Sequence, residues 1–209
     1  MKLVLVRHGE TEWNRMGKFQ GHFDIGMNAR GKSQAKETAR AVMEWEHTAV
    51  YTSPLSRTTE MAEEISQLGG RPVVPVPGLK ELSLGDLEGV TGEEMCTGWP
   101  EVYAAWRDNP APVRMPNGES LAQLQDRAWN SLLELEKAHG QDESLDEALV
   151  VVSHNFTIRT LICKVLGMPL ANFHSMSLSL SSICIVDCDQ RGRRLMSYNS
   201  TCHLSPENR

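Results

Sequence analysis

The N-terminal stretch Met1-Lys2-Leu3-Val4-Leu5-Val6, followed at once by Arg7-His8-Gly9-Glu10, decides the fold. Its first part is a short apolar run, which predicts a buried β-strand. Open α/β sheets build their sites at the carboxyl ends of strands, and that is where Arg7 and His8 fall. A guanidinium can hold a phosphoryl group through two hydrogen bonds, and an imidazole nitrogen can attack one. These residues alone are a weak motif, so the rest of the chain must supply the other parts.

Strand and helix patterns alternate along most of the chain, which predicts a layered α/β fold. Besides the N-terminal strand, strands are predicted at 49–52, 72–76 and 148–152, with a C-terminal hairpin of 177–186 and 193–198. Helices are predicted from 31 to about 45, from 53 to about 68, after the lead-in 117–120 to about 139, and after His154 to 165 or 166. The strand at 148–152 is uninterrupted and apolar, so we expect it in the centre of the sheet, whereas prolines around 72–76 favour an edge. Ser53 and Pro54 are expected to begin the second helix as its N-cap and first residue.

The segment 90–117 breaks this alternation. It contains Trp99, Tyr103 and Trp106 among several prolines, and we interpret it as a helical or loop insertion. Two structures are equally compatible with it: a lid over the functional site, or a satellite hydrophobic cluster.

Composition limits the classes of function. The chain has 209 residues and a formal net charge of -6, which argues for one domain over 1–209 and against a general binder of nucleic acid or membrane surfaces. No apolar run reaches the length of a membrane span, and the N-terminal run is too short for a signal peptide, so we expect a cytoplasmic protein. The five cysteines predict reduced thiols rather than a disulfide framework. No histidine and carboxylate cluster has metal-ligand spacing, so no metal or cofactor is expected.

Three strand-to-helix junctions carry basic side chains. Arg7 and His8 follow the first strand, Arg57 lies in the first turn of the helix after the second strand, and His154 follows the strand at 148–152. If these strands are parallel neighbours, the junctions meet at one edge of the sheet, where helix N-termini add partial positive charge. Such a group of residues is suited to a dianionic phosphoryl group.

The chain resembles the histidine phosphatase superfamily, also called phosphoglycerate mutase-like, and within it the phosphatase branch. The resemblance covers nearly the whole chain and rests on motifs in the family's order. These motifs are 7–14 (RHGETEWN), 20–24 (QGHFD), 31–35 (GKSQA), 52–58 (TSPLSRT), 81–89 (ELSLGDLEG), 118–120 (GES), 151–154 (VVSH) and 198–204 (YNSTCHL). The resemblance implies a three-layer α/β/α sandwich around a mostly parallel sheet.

The resemblance also implies catalytic roles. His8 is expected to be the nucleophile that becomes a phosphohistidine, with its other ring nitrogen donating to a backbone carbonyl. Arg7, Arg57 and His154 are expected to hold the phosphoryl oxygens, and Glu81 to protonate the leaving group and then activate water. The predicted phosphate-binding residues around them are Asn14, Gln20, Gly21 and Asn155.

Within this resemblance we favour a phosphomonoester hydrolase acting on a small phosphorylated metabolite. A mutase of the phosphoglycerate type needs extra basic residues after the acidic motif, and here 90–114 contains only Arg107 and Arg114. Besides the mutase, a non-catalytic phosphate-binding module and a metal-dependent phosphatase are the less favoured hypotheses. A homodimer is possible.

Overall fold

The computed structural model describes residues 1–139 and 148–209. The strands in these residues are β1 (Lys2–Arg7), β2 (Val50–Thr52), β3 (Val73–Pro75), β4 (Ala148–Ser153), β5 (Ile183–Asp189) and β6 (Gly192–Ser200). The helices are α1 (Glu12–Arg15), α2 (Ala29–Val42), α3 (Ser56–Gly69), α4 (Gly92–Gly98), α5 (Pro100–Asp108), α6 (Leu121–His139) and α7 (Asn155–Leu166). Short 3₁₀ segments lie at Pro77–Leu79, Gly85–Leu87, Leu170–Ser175 and Pro206–Asn208.

The strands form one sheet in the order β3-β2-β4-β1-β5-β6. The first four strands in this order are parallel, and β5 and β6 add an antiparallel hairpin. Every residue of β4 is buried, and β3 forms an edge, as their sequences predict. The prediction of a mostly parallel sheet is confirmed.

Helices cover both faces of the sheet. The apolar stripes of α2 and α3 pack on one face, against alternate residues of β1, β2 and β4. The other face packs against α6 and α7. This is the predicted three-layer arrangement, and it follows from strands that are apolar on both faces.

The insertion at 90–117 contains α4 and α5. Met95 is buried with Leu121 and Leu124 of α6 in a third cluster, and Trp99, Tyr103 and Trp106 pack partly buried against it. The packing therefore fits the satellite cluster, one of the two structures compatible with the sequence, and rings of this cluster also face a cavity described below.

Two local features depart from the sequence pattern: a short helix in a stretch for which no element is predicted, and a strand that begins later than predicted. The polar stretch after β1 contains the short helix α1, which begins with a capping box in which Thr11 and Asn14 bond each other's backbone N–H groups. The strand predicted from residue 177 begins only at Ile183, because Ser181 has a φ of 55°, which extended backbone does not allow. No helix among the described residues is long and apolar enough to cross a bilayer.

Candidate active site

Parallel pairing brings three strand ends to the same level of the sheet. Arg7 at the end of β1 pairs with Ser153 at the end of β4, and Thr52 at the end of β2 pairs with Val152. The backbone N–H of His8 then donates to the carbonyl of Ser153 at 3.1 Å. The three junctions predicted to meet are therefore adjacent, and α3 and α7 both begin beside them.

The ring of His8 is held in one tautomer. The side chain is 3% exposed, and Nδ1 lies 2.7 Å from the carbonyl oxygen of Gly9. Since a carbonyl can only accept, Nδ1 carries the proton and Nε2 carries the lone pair. Burial, followed by the charges of Arg57 and Arg7, lowers the pKa of His8 well below its usual value. The ring is thus neutral near pH 7, as a nitrogen nucleophile must be.

Two guanidinium groups flank this ring, that of the fully buried Arg57 and that of the partly buried Arg7. Arg7 donates to the carbonyl of Leu178, and Arg57 donates to the carbonyls of Phe23 (3.0 Å) and Gly21 (2.7 Å). Burial lowers the pKa of each arginine to about 10, so both remain charged at neutral pH. Within 1–139 and 148–209, neither group forms an ion pair with a carboxylate. Buried charge without an ionic partner is costly, so the site is electrostatically prepared for an anion.

His154 lies behind these groups. Its ring is fully buried, with its centroid 5.3 Å from that of His8. Arg57 Nε donates to His154 Nδ1 at 3.2 Å, so the remaining proton is on Nε2, which lies 2.8 Å from Ser53 Oγ. Burial and the nearby charge of Arg57 lower the pKa of His154 well below its usual value. The structure thus places His154 between Arg57 and Ser53 and beside His8, and the expected contact of His154 with a phosphoryl oxygen stays a prediction.

The prediction that Ser53 caps the following helix is wrong. The N-cap of α3 is Leu55, which has no side-chain capping bond. The hydroxyl oxygen of Ser53 instead accepts from His154 Nε2, and it makes only a long 3.4 Å contact with the N–H of Leu55. The serine that the sequence indicates as a helix cap is therefore a hydrogen-bond partner of His154.

Glu81 is fixed at the N-terminus of α7. Its Oε2 accepts from the N–H of Phe156 (3.1 Å), and its Oε1 accepts from the N–H of Thr157 (3.2 Å) and of Leu82 (2.9 Å). The hydroxyl of Thr157 also donates to Oε1 at 3.2 Å. The side chain is consequently held in one orientation toward the junctions.

These groups surround a cavity of about 140 Å³. It is lined by Arg7, His8, Asn14, Lys18, Phe19, Gln20, Gly21, Arg57, Glu81, Leu84, Asn155 and Phe156. Every predicted site residue is among them except His154. A space of this size holds a phosphoryl group and little more, since pockets for drug-sized ligands are about 300–1,000 Å³.

Local backbone structure positions the neutral members of the lining. Asn14 accepts from the N–H of Thr11 through Oδ1 (3.1 Å), which fixes the side-chain amide at the start of α1. Gly21 has a φ of 54°, and a Cβ there would lie 2.3 Å from Oε1 of Glu88, so only glycine fits. Gln20 is buried, and its Oε1 has no hydrogen-bond partner in the described part of the chain.

The sequence profile of the histidine phosphatase superfamily (branch 1) matches residues 3–201. The chain belongs to this superfamily. A phosphoserine phosphatase 1 of Hydrogenobacter thermophilus is 34% identical over 204 residues, which cover 98% of this chain and 94% of that protein. A probable phosphoglycerate mutase GpmB of Serratia proteamaculans is 34% identical over 91% of this chain and 86% of its own length.

A solved structure of similar sequence has the same fold. A mycobacterial glucosyl-3-phosphoglycerate phosphatase in complex with VO3 superimposes with a TM-score of 0.88 and 25% identity, covering 96% of this chain and 99% of the other. The expected resemblance to the superfamily is thus confirmed over nearly the full length.

Sequence reasoning missed several residues of this histidine phosphatase site. Lys18, Phe19 and Leu84 line the cavity without having been assigned a role. Phe156, which follows His154 by two residues and begins α7 with Asn155, is a lining residue that its position after His154 does indicate. The role of Ser53 was hidden because its partner lies 101 residues away.

Proposed function

We propose that the protein is a metal-independent phosphomonoester phosphatase that forms a phosphohistidine on His8. The observation that carries this proposal is the neutral Nε2 of His8 beside the guanidiniums of Arg7 and Arg57, which lack carboxylate partners in the described residues. A phosphoryl dianion would supply the missing negative charge. The two arginines provide the positive charge that a metal ion provides in other phosphatases.

The reaction divides into two transfers. His8 Nε2 attacks phosphorus, an N–P bond forms, and the P–O bond to the substrate breaks while Glu81 donates a proton to the leaving oxygen. Water then attacks the phosphohistidine, Glu81 removes its proton, and the N–P bond breaks to release inorganic phosphate. Arg7 and Arg57 stabilise the charge on the phosphoryl oxygens in both steps.

Hydrolysis is favoured over mutase-type transfer by the distribution of cations. A mutase must hold a doubly phosphorylated intermediate while it turns round in the site. Arg114 in the inserted segment donates to the carbonyl of Gly118 at 3.1 Å and has a structural role. Arg107 is then the one arginine of that segment that is available to a second anionic group. A mutase needs several extra basic residues there, so the single arginine supports water as the acceptor.

The substrate is proposed to be a small phosphorylated metabolite, in keeping with the names of relatives that act on phosphoserine and on a sugar phosphoglycerate. The cytoplasmic location and the possible homodimer stay predictions from the sequence.

The test is turnover, in the presence of EDTA, of p-nitrophenyl phosphate labelled in its phosphoryl group. Rapid quenching without acid then traps the enzyme that has taken up the label. Wild type should turn over and retain label that acid releases and base does not, whereas His8→Ala should lose at least about 10³-fold in kcat, as for loss of a nucleophile. His139→Ala, a histidine outside the cavity, is the matched control and should keep activity. Turnover abolished by EDTA, or full activity in His8→Ala, would overturn the proposal. A panel of phosphometabolites with a mutase assay alongside would separate the two outcomes within the superfamily.

A further inference from the structure

We propose that a second cavity beside the first binds the leaving group of the substrate, and that this leaving group carries an aromatic ring and a carboxylate. The proposal rests on the proposed function, because only phosphoryl transfer makes one part of the substrate a leaving group. It goes further by assigning the chemical class of that part.

The second cavity is large and adjoins the phosphate site at Phe19. It has a volume of about 540 Å³, within the range of about 300–1,000 Å³ that holds a drug-sized molecule. Phe19 lines both cavities, so a substrate whose phosphoryl group is at His8 extends past this ring. Gly92 opens the wall on one side, because a Cβ there would meet nothing within 4 Å. A serine side chain would leave most of this space unfilled.

The walls are aromatic and braced. The ring of Trp106 meets Phe156 of the phosphate cavity edge to face, with centroids 5.8 Å apart at 89°, and lies against the buried Phe173 at 6.2 Å. His174 Nε2 donates to the carbonyl of Trp106 at 2.7 Å, which ties α5 to the 3₁₀ segment Leu170–Ser175. Tyr103 completes this side of the cavity. Half-buried rings held in fixed orientations favour a planar aromatic guest through edge-to-face or offset contacts.

The charge at this cavity is positive. Arg107 lines it, is exposed, and forms no hydrogen bond or ion pair with the other described residues. No Asp or Glu in 1–139 or 148–209 lines the cavity. A free guanidinium at the rim is matched by a carboxylate, which it can bind through two parallel hydrogen bonds. Arg107 is therefore assigned to an anionic group on the far side of the ring from the phosphate.

The experiment uses phosphate esters of primary alcohols, so that leaving-group acidity stays nearly constant. We would measure kcat/KM for ethyl phosphate, benzyl phosphate, 4-carbamoylbenzyl phosphate and 4-carboxybenzyl phosphate with wild type. We expect benzyl phosphate to exceed ethyl phosphate by about tenfold or more, from burial of the ring. We expect the carboxylate to exceed its neutral amide isostere by about five- to tenfold.

Variants then assign each preference to its residue. Trp106→Leu should reduce the benzyl-to-ethyl ratio, and Tyr103→Leu serves the same purpose should the first variant fail to fold. Arg107→Gln should remove the carboxylate-to-amide ratio, while Arg71→Gln, another exposed arginine that lies outside the cavity, should preserve it.

Equal kcat/KM for ethyl and benzyl phosphate would overturn the proposal, as would a benzyl preference that both leucine variants retain. A carboxylate preference that survives Arg107→Gln would overturn the assignment of that residue. Absence of turnover with every ester would instead contradict the phosphatase function itself, so the two failures are distinguishable.

Discussion

At the scale of single residues, the site depends on a chain of hydrogen bonds that orients a charge. Ser53 accepts from His154, His154 accepts from Arg57 Nε, and Arg57 faces His8 across the cavity. The neutral state of His154 is essential to this chain, because a protonated ring could not accept from a guanidinium. Burial lowers the pKa of His154 and keeps its ring neutral, so that Nδ1 can accept from Arg57 Nε and hold the guanidinium in place.

We predict that Ser53→Ala slows catalysis and destabilises the protein. The substitution leaves the fully buried His154 Nε2–H without an acceptor, which costs about 1–3 kcal/mol. Once the ring can turn, Arg57 loses a fixed partner, and kcat should fall by about tenfold. Ser56→Ala is the matched control, because that hydroxyl donates to Asp24 at the exposed start of α3. Equal melting temperatures and kcat values in the two variants would remove Ser53 from the site.

At the scale of elements, α6 fixes the segment that carries the proposed acid. Arg127 donates to the carbonyls of Gly78 (2.9 Å), Lys80 (2.8 Å) and Glu81 (2.6 Å), and it pairs through two nitrogens with Glu119. Glu119 in turn accepts from the N–H of Ser83, the neighbour of Leu82. Arg127 therefore holds the backbone around Glu81 in place, and this backbone directs the Glu81 carboxylate toward the N-terminus of α7.

We predict that Arg127→Met affects poor leaving groups most. Displacement of Glu81 removes proton donation, which a nitrophenolate does not need but an alkoxide does. The kcat for benzyl phosphate, whose leaving group is an alkoxide, should fall by about tenfold or more, with a smaller loss for p-nitrophenyl phosphate, and Glu81→Gln should give the same pattern. Arg193→Met is the control, since Arg193 is a half-buried arginine paired with Glu136 away from the site. Equal losses with both substrates would assign Arg127 to stability alone.

The elements were predictable from the sequence to the extent that their burial is periodic and local. The strands β1, β2 and β4 and the helices behind them follow from apolar runs and stripes, and their parallel order brought His8, Arg57 and His154 to one edge as expected. The orientation of side chains across that edge did not follow, because Arg57 and His154 are 97 residues apart and no local pattern encodes their contact. The insertion likewise obtains its structure from tertiary packing on α6.

At the scale of the whole molecule, an acidic protein encloses a cationic site. The chain has a net charge of -6, yet the fully buried Arg57 and the partly buried Arg7 lie beside two neutral histidines. The folding of the core forces this arrangement, because the three junctions lie at the ends of buried strands and cannot move toward solvent independently. The free energy of unfolding must therefore depend on how many protons the buried histidines bind.

We predict that the protein loses stability as the pH falls below 6.5. In the unfolded chain His8 and His154 titrate near 6.5, whereas in the folded protein burial and Arg57 lower both pKa values well below that. Below pH 6.5 the unfolded state binds protons that the folded state does not, so each histidine lowers the free energy of unfolding by about 1.4 kcal/mol per pH unit until its folded pKa is reached. His8→Asn removes one such group while keeping an N–H that can donate to Gly9. Urea unfolding between pH 5 and 6 should thus give a smaller slope for His8→Asn than for wild type, by about 1.4 kcal/mol per pH unit. Above pH 7.5 the free energy of unfolding of both proteins should depend equally on pH, which is the internal control. If the two curves of unfolding free energy against pH stay parallel throughout the acidic range, His8 is protonated in the folded protein and the prediction is wrong.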